Sequence, residues 1–371
     1  MYLKESKIIV IKIGSSLLID DKKMIRKKWL LEFSKDIQNL IKQNKKVIIV
    51  SSGAIAMGCK KLNLSKKNLK LDKSQAVASI GQIELMNLFS KTFIKSKINI
   101  SQILLTLEDT EQRRRALNAK RTFDNLFKLG FVPIVNENDS IATSEIKYGD
   151  NDRLASRVAQ IASADCLVLL SDVNGLYTQN PKIYKNAKLY KEITDIDENM
   201  ENNSTKSISE HGTGGMKTKI QAAEKAVENG ISTFIVNGSC ADVFEKLLKG
   251  ENPGTQFLAK QAANKARKHW LKHTLKSNGK ISIDQGAVAA VLDKGASLLP
   301  SGIISLTSDF ASGDSIEIVD HVSAKVIAKG ISQYSARDLE RIKGQKSDRI
   351  TDILGCCPSQ VAVHRDDMVI V

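Results

Sequence analysis

The chain has 371 residues, 42% of them hydrophobic and 26% charged, which is enough sequence for two globular domains. No apolar run approaches the roughly 20 residues that span a bilayer. The opening MYLKESKIIVIKIG lacks the apolar region and cleavage site of a signal peptide. The five cysteines show no CxxC or histidine-spaced metal pattern. We therefore expect a cytoplasmic protein with reduced thiols and no membrane partner.

The formal net charge of +15 is unevenly distributed along the chain. Residues 281–371 carry nine Lys or Arg against twelve Asp or Glu, so the positive excess lies before them. That excess is mostly lysine on predicted helix faces, which is more typical of a solvated surface than of a nucleic-acid footprint. We therefore do not expect a nucleic-acid partner.

Strand-like and helix-like apolar patterns alternate over the first 260 residues. The predicted strands are residues 7–13, 47–50, 98–105, 131–135, 166–170 and 233–236. The predicted helices are residues 24–44, 74–95, 110–129, 152–162 and 221–229. This alternation predicts an α/β fold with a mostly parallel sheet and helices on both faces.

The pattern changes near residue 280. Residues 261–277 are basic and read as a linker between a first domain at 1–260 and a second at 278–371. The second domain contains short β-rich runs separated by Gly, Asp and Ser, namely residues 281–283, 287–292, 303–306, 315–319 and 323–328. These runs predict a small, mainly β barrel.

The loop after the predicted strand 131–135 is unusually rich in polar groups. Residues 136–152, NENDSIATSEIKYGDND, hold five carboxylates and three amides. Like charges at that density repel one another unless a cation neutralises them, and a strand's carboxyl end is where open α/β sheets bind ligands. A solvated acidic loop is the alternative interpretation.

Two further strand ends carry glycine and serine. Lys12, Gly14 and Ser15 end the first strand, where a lysine, a close backbone approach and a hydroxyl suit a phosphate. Ser52 lies in the segment SSGAIAMG after the second strand, whose small residues lead into a helix and suit an anion. An ordinary strand end and a tight strand-to-helix turn are the respective alternatives, and the Walker A spacing is absent.

The strongest glycine loop is residues 212–219, GTGGMKTK, which precedes a predicted helix. Lysines at a helix N-terminus are repelled by the helix dipole unless an anion is present, which favours a phosphate loop over a flexible surface loop. Ser171 and Asp172 follow the strand 166–170, where they suit either a ribose contact or an Asx-turn.

Taken in this order, the loops IKIGSS, VSSGAIAMG, NENDSIATSEIKYGDND, LLSDVNGLYTQNP and GTGGMKTK resemble those of the amino-acid kinase family. Three later segments, GASLLPSGI, FASGDSIEI and VAVHRDDMV, resemble a PUA domain. The resemblance covers nearly the whole chain. It implies a three-layer α/β sandwich with a mostly parallel sheet, followed by a PUA-like β barrel.

The resemblance also implies roles for the loop residues. Lys12 and Lys219 would hold the ATP phosphates and the transferred group, and Asp152 would organise both lysines. The implied substrate-binding residues are Ser52, Asp139, Asp150 and Asn151, with Asp150 close to the substrate or the metal. The implied ATP-binding residues are Lys12, Gly14, Ser15, Ser171, Asp172, Thr213, Gly214, Gly215, Met216, Lys217, Thr218 and Lys219.

The implied activity is ATP- and Mg²⁺-dependent phosphorylation of the γ-carboxylate of L-glutamate, the first step of proline biosynthesis. Asp139 would receive the substrate's α-ammonium. The resemblance further implies feedback inhibition by proline around Ser52, Asp139, Asn151 and the segment 140–149, with Glu145 involved. We also expect a homo-oligomer, either a dimer or a tetramer. The metal ligands are not identified.

Two alternatives stay open. The first is a sibling kinase acting on aspartate, N-acetylglutamate, a nucleotide or carbamate. The PUA-like segment disfavours aspartate, because aspartate kinases carry ACT modules, and Asp139 disfavours an acetylated amine. The second is an RNA-binding protein with a vestigial kinase fold. No reductase-like sequence follows the β-rich segment, so we expect the kinase alone rather than a bifunctional synthase.

Overall fold

A computed structural model describes residues 3–20, 24–65, 69–142, 150–181, 183–195, 200, 215–259 and 277–371. These residues form two compact units. The first runs to residue 259 except for residues 113–117, and the second comprises those five residues and 277–371. The linker predicted at 261–277 lies outside the described residues, apart from its last position. No described helix is long and apolar enough to cross a membrane.

The first unit is built on an eight-stranded sheet in the order β3-β4-β2-β1-β5-β7-β8-β6. All neighbouring strands run parallel except β7 and β8, so the predicted mostly parallel sheet is confirmed. The strands are β1 (Ile8–Ile13), β2 (Lys46–Val50), β3 (Asn99–Leu105), β4 (Phe131–Glu137), β5 (Cys166–Ser171), β6 (Glu192–Ile193), β7 (Ser232–Asn237) and β8 (Thr255–Phe257).

Nine helices of this region are described: α1 (Ser15–Leu18), α2 (Lys27–Lys42), α3 (Ala54–Lys61), α4 (Leu71–Phe93), α5 (Leu107–Glu111), α6 (Arg113–Lys128), α7 (Asp150–Ala162), α8 (Met216–Glu228) and α9 (Val243–Lys249). The sequence pattern did not predict α1, α3, α9, β6 or β8. These are short elements, for which hydrophobic periodicity is a weak signal.

Alternate residues of β1 face two separate hydrophobic cores. Ile9 and Ile11 belong to a core that includes side chains of α2, α4 and α9. Val10 belongs to a second core with side chains of α6, α7 and α8. Because successive side chains of a strand point to opposite faces, helices cover both faces of the sheet. The predicted three-layer sandwich is therefore confirmed.

The helix predicted over residues 110–129 is two helices. Thr106 caps α5 by accepting from the backbone N–H of Asp109, whose carboxylate accepts from the Thr106 N–H in return. Gln112 then adopts an extended conformation, with φ −74° and ψ 110°, and α6 begins at the next residue. Apolar periodicity continues across such a break, so it does not reveal one.

The second unit is mainly β, as predicted. Its five strands lie in the order β10-β9-β11-β12-β13. They are β9 (Gly279–Ile283), β10 (Ile303–Thr307), β11 (Ser315–Asp320), β12 (Val326–Ser332) and β13 (Val363–Ile370). Three helices accompany them, α10 (Gln285–Leu292), α11 (Ala336–Ile342) and α12 (Ile350–Leu354).

Two predicted β runs of this unit are wrong in type or position. Residues 287–292 are helical, because Asp284 caps α10 by accepting from the Ala287 N–H at 2.7 Å, and alanine favours a helix. The run at 323–328 begins as a turn, in which Asp320 accepts from the N–H groups of Val322 and Ser323. Strand β12 therefore starts only at Val326.

Helices α3 and α4 are packed very closely through two glycines. A Cβ on Gly58 would lie 2.0 Å from the Val77 carbonyl oxygen, and one on Gly81 would lie 1.8 Å from the Ala54 carbonyl oxygen. Helix α3 begins directly after the loop at the end of β2. The close contact therefore fixes α4 against that loop.

We predict that Gly81→Ala destabilises the first unit. The new methyl group would overlap a backbone oxygen that cannot rotate away, at a cost of about 1–3 kcal/mol in unfolding free energy. Urea or thermal unfolding measures the change. Ser79→Ala, at an exposed position of the same helix, is the control and should be neutral or slightly stabilising. Equal stabilities for the two variants would contradict the packing argument.

Candidate active site

The candidate site lies at one edge of the large sheet. Four neighbouring strands, β4, β2, β1 and β5, run parallel, so their carboxyl ends meet there. Helix α7 begins at the same edge, where its Asp152 pairs with Lys12 of β1, and Lys219 in the first turn of α8 pairs with the same Asp152. The fold therefore brings together described residues from four of the loops that the sequence singled out, namely Lys12, Ser52, Asn151, Asp152 and Lys219.

Asp152 is the centre of the charged part of the site. Its side chain is fully buried, and its Oδ1 atom lies 2.6 Å from Nζ of Lys12. Its Oδ2 atom lies 3.1 Å from Nζ of Lys219 and accepts a hydrogen bond from the Thr218 hydroxyl at 3.0 Å. Lys12 and Lys219 are themselves only 6% and 5% exposed. One carboxylate thus holds two buried ammonium groups side by side.

The ion pairs shift the ionisation of these groups. Burial raises the pKa of Asp152, but the charges of Lys12 and Lys219 outweigh burial and hold that pKa below its usual value. Burial lowers the pKa of Lys12, the Asp152 charge opposes this, and the nearby Lys219 charge adds to the lowering. Asp152 is therefore a carboxylate at neutral pH.

Neutral amides form the second part of the site. The Nδ2 group of Asn151 donates to the Ser51 carbonyl at 3.1 Å and to the Ser52 hydroxyl at 3.0 Å. It also lies 3.4 Å from Oδ1 of Asn136, whose own Nδ2 donates to Gln82 at 2.8 Å. The Oδ1 atom of Asn151 is buried and has no hydrogen-bond partner among the described residues. A ligand donor would satisfy it.

The remaining strand-end residues lie around these two clusters. The backbone N–H of Gly14 donates to the Leu170 carbonyl at 3.2 Å, which ties the loop after β1 to β5. The Ser171 hydroxyl donates to Asp172 at 3.2 Å. Gly53 has φ +108°, a conformation that glycine adopts without strain, and it lets the chain turn from β2 into α3.

The glycine loop is described only from Gly215 onward, so Thr213 and Gly214 lie outside the described residues. Gly215 caps α8, Met216 is partly buried, and Lys217 is exposed. We expected the lysines at this helix start to require a bound anion. For Lys219 the Asp152 carboxylate already provides one, so that argument applies in full only to Lys217.

The structure describes the other predicted substrate-binding residues only in part. Asp139 is partly buried in the turn after β4. Asp150 is the first residue of α7, and its side chain is not described. Residues 143–149, including Glu145, lie outside the described part. The functional roles of all these residues stay predictions.

Gln82 was missed by the sequence analysis. It lies in α4 between Ala78 and Leu85, on the helix stripe that also holds buried apolar side chains, and it is only 9% exposed. A polar residue within an apolar stripe at helical spacing was the available signal. The stripe predicts that such a residue is buried, but it does not identify the partner.

Comparison with known proteins assigns the class. The amino acid kinase family model matches residues 7–237, and a PUA domain model matches residues 279–354. The chain therefore belongs to the amino acid kinase family, with a PUA domain after the kinase part.

Three relatives are named glutamate 5-kinase. The protein of Pelagibacter ubique strain HTCC1062 is 66% identical over 369 residues, covering 100% of both chains. That of Bradyrhizobium diazoefficiens is 43% identical, covering 99% of this chain and 98% of the relative. That of Idiomarina loihiensis is 40% identical, covering 98% of this chain and 97% of the relative.

We predict that Asp152→Asn lowers the unfolding free energy by about 3–5 kcal/mol, because it leaves two buried ammonium groups without a counter-charge. Chemical denaturation at neutral pH measures the loss. Asp124→Asn is the matched control, since Asp124 pairs with Lys120 at 2.9 Å on α6 and both side chains are partly exposed to water. The control should change stability by less than about 1 kcal/mol. A similar small change for both would show that the buried triad is not stabilising.

Proposed function

We propose that this chain phosphorylates the γ-carboxylate of L-glutamate with ATP, the first step of proline biosynthesis. The observation that carries the proposal is the pair of buried lysines held on one buried carboxylate, beside a cluster of amides with an unused acceptor. Relatives named glutamate 5-kinase over the full length of the chain support the choice of substrate.

The reaction needs little proton transfer. The glutamate γ-carboxyl, with a reference pKa of about 4.3, is already ionised at neutral pH, so no general base is required. A carboxylate oxygen forms a bond to the γ-phosphorus while the bond from that phosphorus to the β,γ-bridging oxygen breaks, and ADP leaves. The difficulty is to bring an anion up to a polyanion, which makes positioning and charge neutralisation the main tasks.

The two lysines are suited to that task. Their ammonium groups lie within 3.1 Å of the same carboxylate, so both are held close to one point before any substrate arrives. We propose that they contact the phosphate oxygens, and that Thr218 and Asp152 keep them oriented. Preorganised cations cost no reorganisation during the reaction, which is the usual source of electrostatic catalysis.

We propose that the amide cluster binds the amino-acid end of the substrate. The buried Oδ1 atom of Asn151 can accept from an α-ammonium, and the partly buried Asp139 would supply the matching charge. Ser52 and the N–H groups after Gly53 suit the α-carboxylate. The acidic residues of this region thus fit a substrate that carries a positive charge at one end.

Mg²⁺ belongs to the proposal as the counter-ion of ATP. No group of three or more His, Cys, Asp or Glu side chains in the described part of the chain is placed to hold a metal. Asp152, the buried carboxylate of the site, is occupied by two lysines. The described residues therefore do not fit a protein-held ion. Mg²⁺ commonly binds through substrate phosphates, so we derive no step through a resident metal.

We also propose a cytoplasmic location and a homo-oligomer, either a dimer or a tetramer. The five cysteines, all within the described part of the chain, form no disulfide with one another, which is typical of a reducing compartment. The oligomer follows from the family resemblance. If light scattering gives the mass of a single chain, the homo-oligomer proposal is wrong.

The substrate is tested by an ATP-dependent hydroxamate assay with glutamate, aspartate and N-acetylglutamate. We expect product from glutamate and little from the other two. Product from aspartate or N-acetylglutamate but not from glutamate would replace the proposal with a sibling kinase. A salt-dependent RNA mobility shift without kinase activity would favour the RNA-binding alternative.

We predict that Lys219→Ala lowers kcat by about 10²–10³, as expected for loss of one preorganised charge stabiliser. Stability should fall less than in Asp152→Asn, because Asp152 keeps its contact with Lys12. Lys225→Ala is the control: it removes an exposed lysine of the same helix, paired only with Glu228 at the surface, and should leave kcat unchanged. If the two variants have the same kcat, Lys219 has no part in the chemistry.

Proline inhibition is a further prediction. Proline shares the α-carboxylate and amine of glutamate, so we propose that it occupies the amide cluster around Ser52, Asp139 and Asn151. Inhibition should then be competitive with glutamate in initial-rate measurements at millimolar proline. Inhibition that glutamate does not relieve would place the proline site elsewhere, and no inhibition at low glutamate would remove the regulation.

A further inference from the structure

Gln82 lies at the inner end of a chain of buried amides. Its Oε1 atom accepts from Asn136 Nδ2 at 2.8 Å, and Asn136 Oδ1 lies 3.4 Å from the Asn151 Nδ2 group. Asn151 donates in turn to the Ser52 hydroxyl, which donates to the Ile13 carbonyl at 3.3 Å. The side chains of α4, β4 and α7 are thus linked to the ends of β1 and β2.

The direction of this chain is fixed by backbone carbonyls. The Ser51 carbonyl can only accept, so Asn151 must turn its Nδ2 group toward it. Asn136 must then present its Oδ1 atom to Asn151 and its Nδ2 group to Gln82. Gln82 therefore has to offer an acceptor, and an amide turned the other way would bring two donors together.

This direction decides what the site presents to a ligand. With the Asn151 N–H groups used inside the protein, its Oδ1 atom remains as an unused acceptor. Reversing the amides would present a donor instead, which would repel a substrate ammonium. Gln82, a buried side chain of α4, supplies the acceptor that this direction requires at the inner end of the chain, and without it Asn136 is free to turn its Nδ2 group toward Asn151.

We propose that Gln82 is a positioning residue for the amino-acid substrate, acting through Asn136 and Asn151. Its own Nε2 group is buried and has no hydrogen-bond partner among the described residues. A buried unpaired N–H is costly, so the side chain is not there for packing alone. The proposal rests on the proposed function only for the identity of the substrate.

The test compares three single variants. Gln82→Met keeps the length of the side chain but removes the acceptor, while Gln82→Glu keeps an acceptor for Asn136. Gln38→Met is the matched control, because Gln38 donates to the Ser96 carbonyl at 2.7 Å, away from the amide chain. If Gln82→Met does not fold, Gln82→Asn takes its place in the test. The shorter side chain moves the amide away from Asn136 by the length of one methylene group.

We expect Gln82→Met to raise the glutamate KM by about 10- to 100-fold, the range for a displaced Asn151 that no longer makes its hydrogen bond to the charged end of the substrate. The kcat and the ATP KM should stay within about threefold, as should all constants of Gln82→Glu and Gln38→Met. Three results would overturn the proposal. The first is an unchanged glutamate KM in Gln82→Met, and the second is a rise in its ATP KM equal to the rise in its glutamate KM. The third is a Gln82→Glu variant that is as impaired as Gln82→Met.

A crystal structure of the Gln82→Met enzyme gives a readout that does not depend on activity. We expect the Asn151 contact with the Ser52 hydroxyl to be lost in that variant and kept in Gln82→Glu. If the Asn151 side chain keeps its wild-type position in the Gln82→Met structure, the positioning role is overturned. This holds even if the substrate of the wild-type enzyme is an amino acid other than glutamate. Wild-type inactivity with glutamate, in contrast, would overturn the proposed function and leave the structural test to decide on Gln82.

Discussion

The site depends on one buried carboxylate that holds two buried ammonium groups. Asp152, Lys12 and Lys219 together carry one net positive charge, and all three are removed from water. Burying charge is expensive unless it is compensated, and here one positive charge is left over within the triad. The lowered pKa of Lys12 has burial as its largest cause, with the second lysine adding to it. An anionic ligand would supply the missing charge, and this supports the proposal that the triad binds phosphate.

The three charged residues of the triad are held in place by rigid secondary-structure elements. Lys12 is on the central strand β1, while Asp152 and Lys219 are in the first turns of α7 and α8. The two residues of the Lys219–Asp152 pair are 67 positions apart, and only the parallel sheet brings their helices to the same edge. Because the helices are packed into a core on one face of that sheet, the ammonium groups are held in place without a flexible loop.

The sequence predicted the architecture well and the site only in part. Strand β1 and the mostly parallel order followed from apolar runs, and the loops at residues 12–15, 52 and 136–152 were correctly expected to follow strands. Lys217 and Lys219 were both assigned to nucleotide binding, but α8 begins at Met216, and only Lys219 is turned inward. Which lysine is buried depends on the first residue of the helix, and a pattern gives that boundary poorly. Gln82 was missed for a different reason: its role comes from a partner 54 positions away, which no local pattern contains.

In the proposed mechanism, the lysine cluster of the site acts through charge, while the amide cluster acts through the direction of its hydrogen bonds. The lysine side is proposed to contact phosphate oxygens, whose charge distribution changes during transfer, so its interactions would be stronger in the transition state than in the ground state. The amide side is proposed to contact the end of the substrate that does not react, so its interactions would be nearly equal in both states. On this proposal, charge on the first side would set the rate, while the direction of the hydrogen bonds on the second side would set which amino acid is held. A neutral amide chain suits the second task, because its hydrogen-bond direction discriminates between donor and acceptor, while the proposed contact with Asp139 would supply the charge that matches the substrate ammonium.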